Sequence, residues 1–188
     1  MNDSEKSMAE GIRRGDNRAM RDFYATFGGQ LTAVCSRYVA DDDDVKDVIQ
    51  ESLLSIISNI HTFEYHGKGS LRAWATRIVV NHALGFLRQK KRTATLFIDS
   101  DARIADTADD TPPDIEDIPA GVVTEMIRHL PDGYRMVFNL YVIEGRSHKE
   151  ISRMLGIKED TSASQLHRAK AILAKQITEY RKKSRQEI

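Results

Sequence analysis

The chain has one cysteine, Cys35, and no other thiol. A lone cysteine excludes an intrachain disulfide and any zinc site built on cysteines. Its expected place is inside a helix, as a small apolar residue. No apolar run approaches the ~18 residues that a spanning helix needs. No basic start followed by an apolar stretch opens the chain, so no secretory signal is read there. The protein is therefore expected to be soluble and cytoplasmic, with no stable membrane insertion. Strand-like alternation is also missing. Nearly every periodic segment has helical spacing, which makes the expected fold class all-α. Net charge is absent as well, with 28 basic against 28 acidic residues. That balance argues against a protein that coats nucleic acid without specificity.

The balance hides segregation. Between Thr93 and Gly121 there are eight acidic residues and one basic, whereas Arg146 to Ile188 carries eleven basic and five acidic. The basic end suits a polyanionic partner. The acidic stretch also holds Pro112, Pro113 and Pro119, three of the four prolines. Its weak periodicity marks residues 93–119 as a flexible acidic linker. Two small helical domains are expected on either side, residues 1–92 and 120–188.

Residues 5–40 predict one or two helices, with Ile12, Met20, Phe23, Phe27, Leu31, Val34 and Tyr38 at apolar spacing. Gly28-Gly29-Gln30 inside them resembles a peptide-release tripeptide, but a close helix contact or a helix break suits it better. Residues 44–60 predict an amphipathic helix. Val45, Ile49, Ser52, Ile56 and Ile60 share one face; Asp47, Gln50, Glu51, Leu54 and Ser58 share the other. The preceding acids, Asp41 to Asp44, suit the N–H groups and the dipole at a helix start. A metal site is the competing reading.

After an aromatic, His- and Gly-rich loop, HTFEYHGKG, Ser70 is placed to cap a helix that runs to about Arg92. Its expected apolar stripe is Leu71, Ala75, Ile78, Val79, His82 and Phe86, which makes His82 a hydrogen-bonded core histidine. In the second domain one helix ends near Leu130 and the next spans about Asp132–Ile143. Ser147 and Glu150 then form a capping box that opens a third helix. Gly156 closes it. Asp160 or Thr161 caps a fourth helix that continues past Ala174.

Three groups of residues carry chemistry. The last two helices scan as a helix-turn-helix, with Ile151, Leu155, Ile157, Leu166, Ala169 and Leu173 as its packing. Ala163, Ser164, His167, Arg168 and Lys170 are left for base edges and phosphates. The earlier helix presents Arg77, Asn81, Arg88 and Lys91 beside Trp74, with Phe63 or Tyr65 in the loop before it. A cationic face with stacking rings is the pattern that holds single-stranded nucleic acid. The polar face of 44–60 sets the apolar Leu54 among Asp47, Gln50 and Glu51, which suits a protein partner bearing arginines.

The order of these segments resembles the sigma-70 family of bacterial RNA polymerase initiation factors, in its small two-domain extracytoplasmic-function (ECF) branch. Asp47-Val48-Ile49-Gln50-Glu51 is similar to the family's D-[LV]-x-Q-E segment. Leu71-Arg72-Ala73-Trp74, with Arg77, Ile78 and Asn81, is similar to its S-[LF]-x-x-W-L-x-x-I-x-x-N helix. Leu130-Pro131, Arg135 to Phe138, Glu144 to Ser147, Glu150-Ile151, Leu155 to Ile157 and Thr161 follow its L-P-x-x-x-R-x-V-F…E-G-x-S-x-x-E-I-A run. The resemblance implies core RNA polymerase (β′ and β subunits), promoter DNA and an anti-sigma factor as partners, with no cofactor and no catalysis of its own.

Carried over by position, Asp47, Gln50, Glu51 and Leu54 would meet the polymerase. Phe63, Tyr65, His66, Lys68, Ser70, Trp74, Arg77, Asn81, Arg88 and Lys91 would meet the −10 element. Thr161, Ala163, Ser164, Gln165, His167, Arg168 and Lys170 would meet the −35 element. The chain departs from the family where the recognition helix often reads T-V-[RK]-S-R: Ala163 and Gln165 replace two cations. Two other readings compete. One is a stand-alone helix-turn-helix regulator with a sensor domain. The other is a metal-dependent enzyme using Asp41 to Asp44 with His61 and His66.

Overall fold

The computed structural model describes residues 4–90 and 117–184, which separate into two compact helical units with no strand among the described residues. Lys91, Arg92 and linker residues 93–116 lie outside the described residues.

The first unit contains α1 (Ser4–Arg13), α2 (Asn17–Tyr38), α3 (Asp42–Asn59) and α4 (Ser70–Lys90), with a 3-10 turn, Ile60–Thr62, after α3. Residues 5–40 thus form two helices. The break falls at Gly15 (φ +75°) and Asp16, whose carboxylate accepts the Arg18 N–H at 2.8 Å. Gly28-Gly29-Gln30 lies within α2 without breaking it. Helix α2 packs against α1, α3 and α4. Leu31, Cys35 and Tyr38 on α2, Ile56 on α3 and Leu71, Ala75, Val79 and Ala83 on α4 are all buried. Burying a side chain such as Ile56 contributes about 1.5–3 kcal/mol. Burial also pushes the Cys35 thiol up to about 12, so it is held as the neutral thiol.

The inward face of α3 is the one its spacing predicts, since Val45, Ile49, Ser52, Ile56 and Ile60 are all buried. The stripe of α4 is rotated from expectation. Val80, Ala83, Leu84 and Leu87 are buried alongside Leu71, Ala75 and Val79, while Ile78, His82 and Phe86 are only half-buried. Three helices pack on α4, so its buried arc is wider than one amphipathic stripe. His82 falls at the edge of that arc, with Nδ1 4.0 Å from the Glu51 carboxylate. It is a surface-facing histidine, not a core one.

The second unit contains α5 (Ala120–Arg128), α6 (Asp132–Phe138), α7 (His148–Leu155) and α8 (Glu159–Ser184). Ile127, Leu130, Ala169 and Leu173 form a core against which Phe138 and Ile172 pack. Arg135 is buried beneath the α5–α6 turn. It donates to the carbonyls of Arg128 (2.7 Å) and Leu130 (3.0 Å) and pairs with Asp132. The Arg128 carbonyl ends α5 and that of Leu130 lies in the turn just past it, and the guanidinium satisfies both. Burial draws its pKa below the usual value, and Asp132 opposes that shift.

The helix expected over 132–143 stops being α at Phe138 and continues as a π turn, Asn139–Ile143, closed by Glu144 N–H to Asn139 carbonyl at 3.0 Å. The turn leaves Tyr141, Val142 and Ile143 exposed. The Ser147–Glu150 capping box is present, and Gly156 ends α7 at φ +70°.

Asp41 accepts the N–H groups of Asp43 and Asp44, each at 3.0 Å, and so caps α3. The Asp44 and Asp43 N–H groups hold its carboxyl below the usual carboxylate value. A folded pKa below the unfolded one stabilises above the unfolded value, and the benefit disappears as pH falls through the folded value. Asp41→Ala is therefore expected to lower the denaturation midpoint at neutral pH, with the gap from wild type closing below the ordinary carboxylate range. Paired denaturation curves across pH check it, and a gap constant with pH refutes the cap's charged character.

Candidate nucleic-acid interface

The loop before α4 turns twice on glycine. Gly67 has φ +104° and Gly69 φ +92°, values that side chains on Cβ rarely adopt. Between them Lys68 is exposed, as are Glu64 and His66; Tyr65 is half-buried. Ser70 does not cap α4 as expected. Its hydroxyl donates to the Gly67 carbonyl at 2.7 Å and accepts the His66 N–H at 3.3 Å, which closes the loop on itself. The cap comes from Glu5, whose carboxylate accepts the N–H of Gly69 at 3.0 Å and of Leu71 at 3.1 Å. At the other end of the loop, Arg13 donates from Nε to the Ile60 carbonyl at 3.2 Å and from a terminal nitrogen to the Phe63 carbonyl. Neither Glu5 nor Arg13 is legible as a site residue from sequence, because each acts on backbone roughly fifty or more residues away.

Phe63 needs correction as a stacking candidate. It is 3% exposed, and its ring lies 5.5 Å from that of Trp74 at 53°. Phe63 therefore supports Trp74 from below and offers no free face. Trp74 itself is half-buried, and Arg77, Asn81 and Arg88 follow it along one exposed line of α4. The structure thus brings together Trp74, Arg77, Asn81 and Arg88 on the helix, with the loop carrying Tyr65, His66, Lys68 and Ser70 at its start. Lys91 lies outside the described residues. Lys90 pairs with Asp44, which ties the end of α4 to the start of α3.

On α3, Asp47, Gln50, Glu51 and Leu54 are all exposed, and Leu54 reaches 67%. Between α3 and α4 lies an open cleft of about 730 Å³, lined by Glu51, Asn81, His82 and Phe86. The acids at the start of α3 serve its cap and local ion pairs, Asp43 with Lys46 and Asp44 with Lys90. No cluster of His, Cys, Asp and Glu suited to a metal occurs among the described residues. No helix there is long and apolar enough to cross a membrane.

In the second unit α8 begins at Glu159, so Asp160 and Thr161, the expected caps, lie inside its first turn. Its inward line is Ser162, Gln165, Leu166, Ala169 and Leu173. Ser162 is fully buried and bonds His148 Nδ1 at 2.9 Å, and the His148 ring stacks on Tyr141 with centroids 4.6 Å apart. This fixes the start of α8 against α7 and the π turn. Ala163 and Ser164 are exposed, whereas Thr161, His167, Arg168 and Lys170 are half-buried. Gln165 is 5% exposed, so it is not a base reader in this geometry. Three and four residues from Ser162 and Ala169, it shares their inward face.

Comparison with known proteins follows this division. The family description for Sigma-70 region 2 matches residues 23–93, and that for Sigma-70 region 4 matches residues 121–173. The chain is 27% identical over 185 residues to the ECF RNA polymerase sigma factor SigW of Bacillus subtilis, covering 92% of this chain and 96% of that one. It is 24% identical over 183 residues to the ECF RNA polymerase sigma-E factor of Haemophilus influenzae, covering 93% and 95%. A solved structure, the sigma factor RpoE in complex with the anti-sigma factor NepR from Bartonella quintana, aligns at TM-score 0.49 with 20% identity, covering 84% and 98%.

The Gln165 side-chain oxygen is buried with no hydrogen-bond partner among the described residues. An unmet buried acceptor is costly. Gln165→Met, similar in volume, is expected to stabilise the second unit by up to about 1 kcal/mol, read as a higher urea midpoint. A loss of stability of similar size would show that the amide is bonded and integral to the fold.

Proposed function

Because the chain belongs to the ECF branch of the sigma-70 family and is a sigma factor, we propose that it recruits core RNA polymerase to promoters through three separate surfaces. The exposed face of α3, with Asp47, Gln50, Glu51 and Leu54, docks on the polymerase β′ subunit. The loop at residues 63–70 and the outward line of α4 open the −10 element and hold an unstacked base. The start of α8, with Thr161, Ala163, Ser164, His167, Arg168 and Lys170, lies along the −35 element. One observation carries the reading. The region 2 and region 4 matches fall in order on two separate helical units, and the first of these holds an exposed acidic face and, on the adjacent helix, an exposed polar-cationic line that starts at the half-buried Trp74.

The chemistry at each surface fits its role. Leu54 gives α3 an apolar anchor amid acids, the arrangement that an arginine-bearing partner recognises. Lifting a base from the duplex costs a few kcal/mol, recovered by stacking and pocket contacts. Trp74 and Tyr65 supply rings, while Lys68, Arg77 and Arg88 supply charge for phosphates. On α8 the cationic contributors are Arg168 and Lys170, suited to phosphate positioning more than base reading. An anti-sigma factor that covers these surfaces belongs to the same proposal, as members of the branch are often held inactive in this way. The stand-alone regulator is not favoured, since it leaves the region 2 unit without a role.

The decisive experiment is run-off transcription with purified core polymerase, followed by mapping of start sites. Addition of the protein is expected to convert core polymerase to promoter-specific initiation, with upstream motifs at fixed spacing. Absence of specific starts on a genomic template library would overturn the reading. Gln50→Lys and Glu51→Lys are expected to weaken core binding about tenfold or more without changing the melting temperature. Full affinity in both variants would remove α3 as the docking face. Arg77→Gln with Arg88→Gln is expected to reduce the salt slope of promoter binding by roughly one to two, and an unchanged slope would remove them from the phosphate path.

A further inference from the structure

We propose that α1 acts as a frame for the base-reading loop, with Glu5 and Arg13 as positioning residues that set −10 selectivity without touching DNA. This rests on the reading of residues 63–70 as the −10 loop, and it adds a determinant outside that loop. Arg13 holds the carbonyls of Ile60 and Phe63, where the loop leaves the 3-10 turn. Glu5 holds the N–H groups of Gly69 and Leu71, where it enters α4. Both ends of the loop are therefore tied to one short helix.

The dimensions say what the ties do. Glu5 and Arg13 are eight residues apart, about 12 Å along a helix axis. The seven residues from Phe63 to Gly69 reach about 23 Å when extended. Bonded at both ends to α1, the loop does not run extended but bows, folding back through the turns at Gly67 and Gly69. Its bowed part carries Tyr65, His66 and Lys68.

The frame is anchored independently of the loop. Ala9 and Ile12 of α1 are buried, at 2% and 3% exposure, and α1 packs on α2. Glu5 is 8% exposed, so its bonds to the loop are shielded from water and geometrically strict. Losing either tie would leave α1 in place and the loop free to sample other paths. The expected consequence is a loss of discrimination among bases, with polymerase binding retained, because the α3 docking face is not part of the frame.

The test uses holoenzyme reconstituted from core polymerase and the full chain as wild type, Glu5→Ala, Glu5→Gln or Arg13→Gln. The probe is a single-stranded DNA library with a randomised window of about six nucleotides, the span a short loop and one helix line can cover. Wild type is expected to enrich a motif. The Glu5→Ala and Arg13→Gln holoenzymes are expected to bind core within about twofold of wild type while enrichment of that motif falls about tenfold or more. Amide exchange at residues 64–71 should quicken in these variants with α2 unchanged, a combination that general destabilisation does not give.

Equal enrichment of the same motif by wild type and both variants overturns the frame and leaves the loop's assignment intact. No enrichment by wild type overturns the loop's assignment and the frame together. If Glu5→Ala melts at the assay temperature, Glu5→Gln decides by the same criterion. It keeps the volume and one accepting oxygen but removes the charge, and unaltered enrichment in it and in Arg13→Gln overturns the proposal.

Discussion

At the start of α4 the backbone offers N–H groups that no earlier turn of helix accepts, and the Glu5 carboxylate takes two of them. A charge at that end also suits the helix dipole. What distinguishes this cap is its origin. Asp16, Asp41 and Ser147 cap helices from the adjacent residue, so those caps fix only where a helix begins. Glu5 comes from the other end of the unit, so its cap also fixes where α1 lies against α4. The direction in which Trp74, Arg77, Asn81 and Arg88 point follows from that registration, as does the path of the loop before them. Arg13 adds a second point of contact, and two points define an orientation where one does not.

Much of this was readable from sequence where the physics is local. The inward face of α3 follows from a period of 3.6, and the Ser147–Glu150 box and Gly156 are signals within a few residues of their effect. The two units, the all-α class and the helix-turn-helix packing needed no more than spacing. Failures occurred where tertiary packing decides. His82 looked like a core residue because one stripe was assumed, whereas three helices share α4 and rotate its buried arc. Phe63 looked like a free ring because loops are exposed on average, yet it fills the space under Trp74. Gln165 looked available because it is polar, yet it lies on the line of Ser162 and Ala169. Glu5 and Arg13 carried no signal at all, since a carboxylate and a guanidinium early in a chain show nothing of the distant backbone they bond. The π turn after Phe138 was equally invisible, because its apolar residues keep helical spacing while the hydrogen bonds lengthen by one residue.

The burial of Gln165 changes how the recognition helix is understood. Of the two positions that lack the family's usual cations, one is exposed alanine and the other faces inward. The outward start of α8 therefore carries no cation, its charges being the exposed acids Glu159 and Asp160, and Arg168 and Lys170 lie further along the helix. A helix of that kind positions itself on phosphates and reads bases weakly. Its placement compensates through rigidity. The Ser162–His148 bond and the His148–Tyr141 stack hold the first turn of α8 against α7 and the π turn. Little ordering entropy is then lost on binding.

Weakness in each surface proposed to meet DNA is consistent with the assembly proposed for them. Two modules on one chain raise each other's local concentration, so modest individual affinities multiply once both can engage. Polymerase docking adds a third contact that does not depend on DNA sequence. A chain whose α8 bound duplex DNA tightly by itself would occupy promoters without polymerase and block them. A chain with zero net charge and a helix whose first turns carry no cation avoids that outcome. In the proposed assembly the selectivity falls on the loop at residues 63–70, where a misplacement of an ångström would be expensive. That is the segment to which α1 is bonded at both ends, so the constraint that Glu5 and Arg13 impose falls on the surface proposed to do the discriminating.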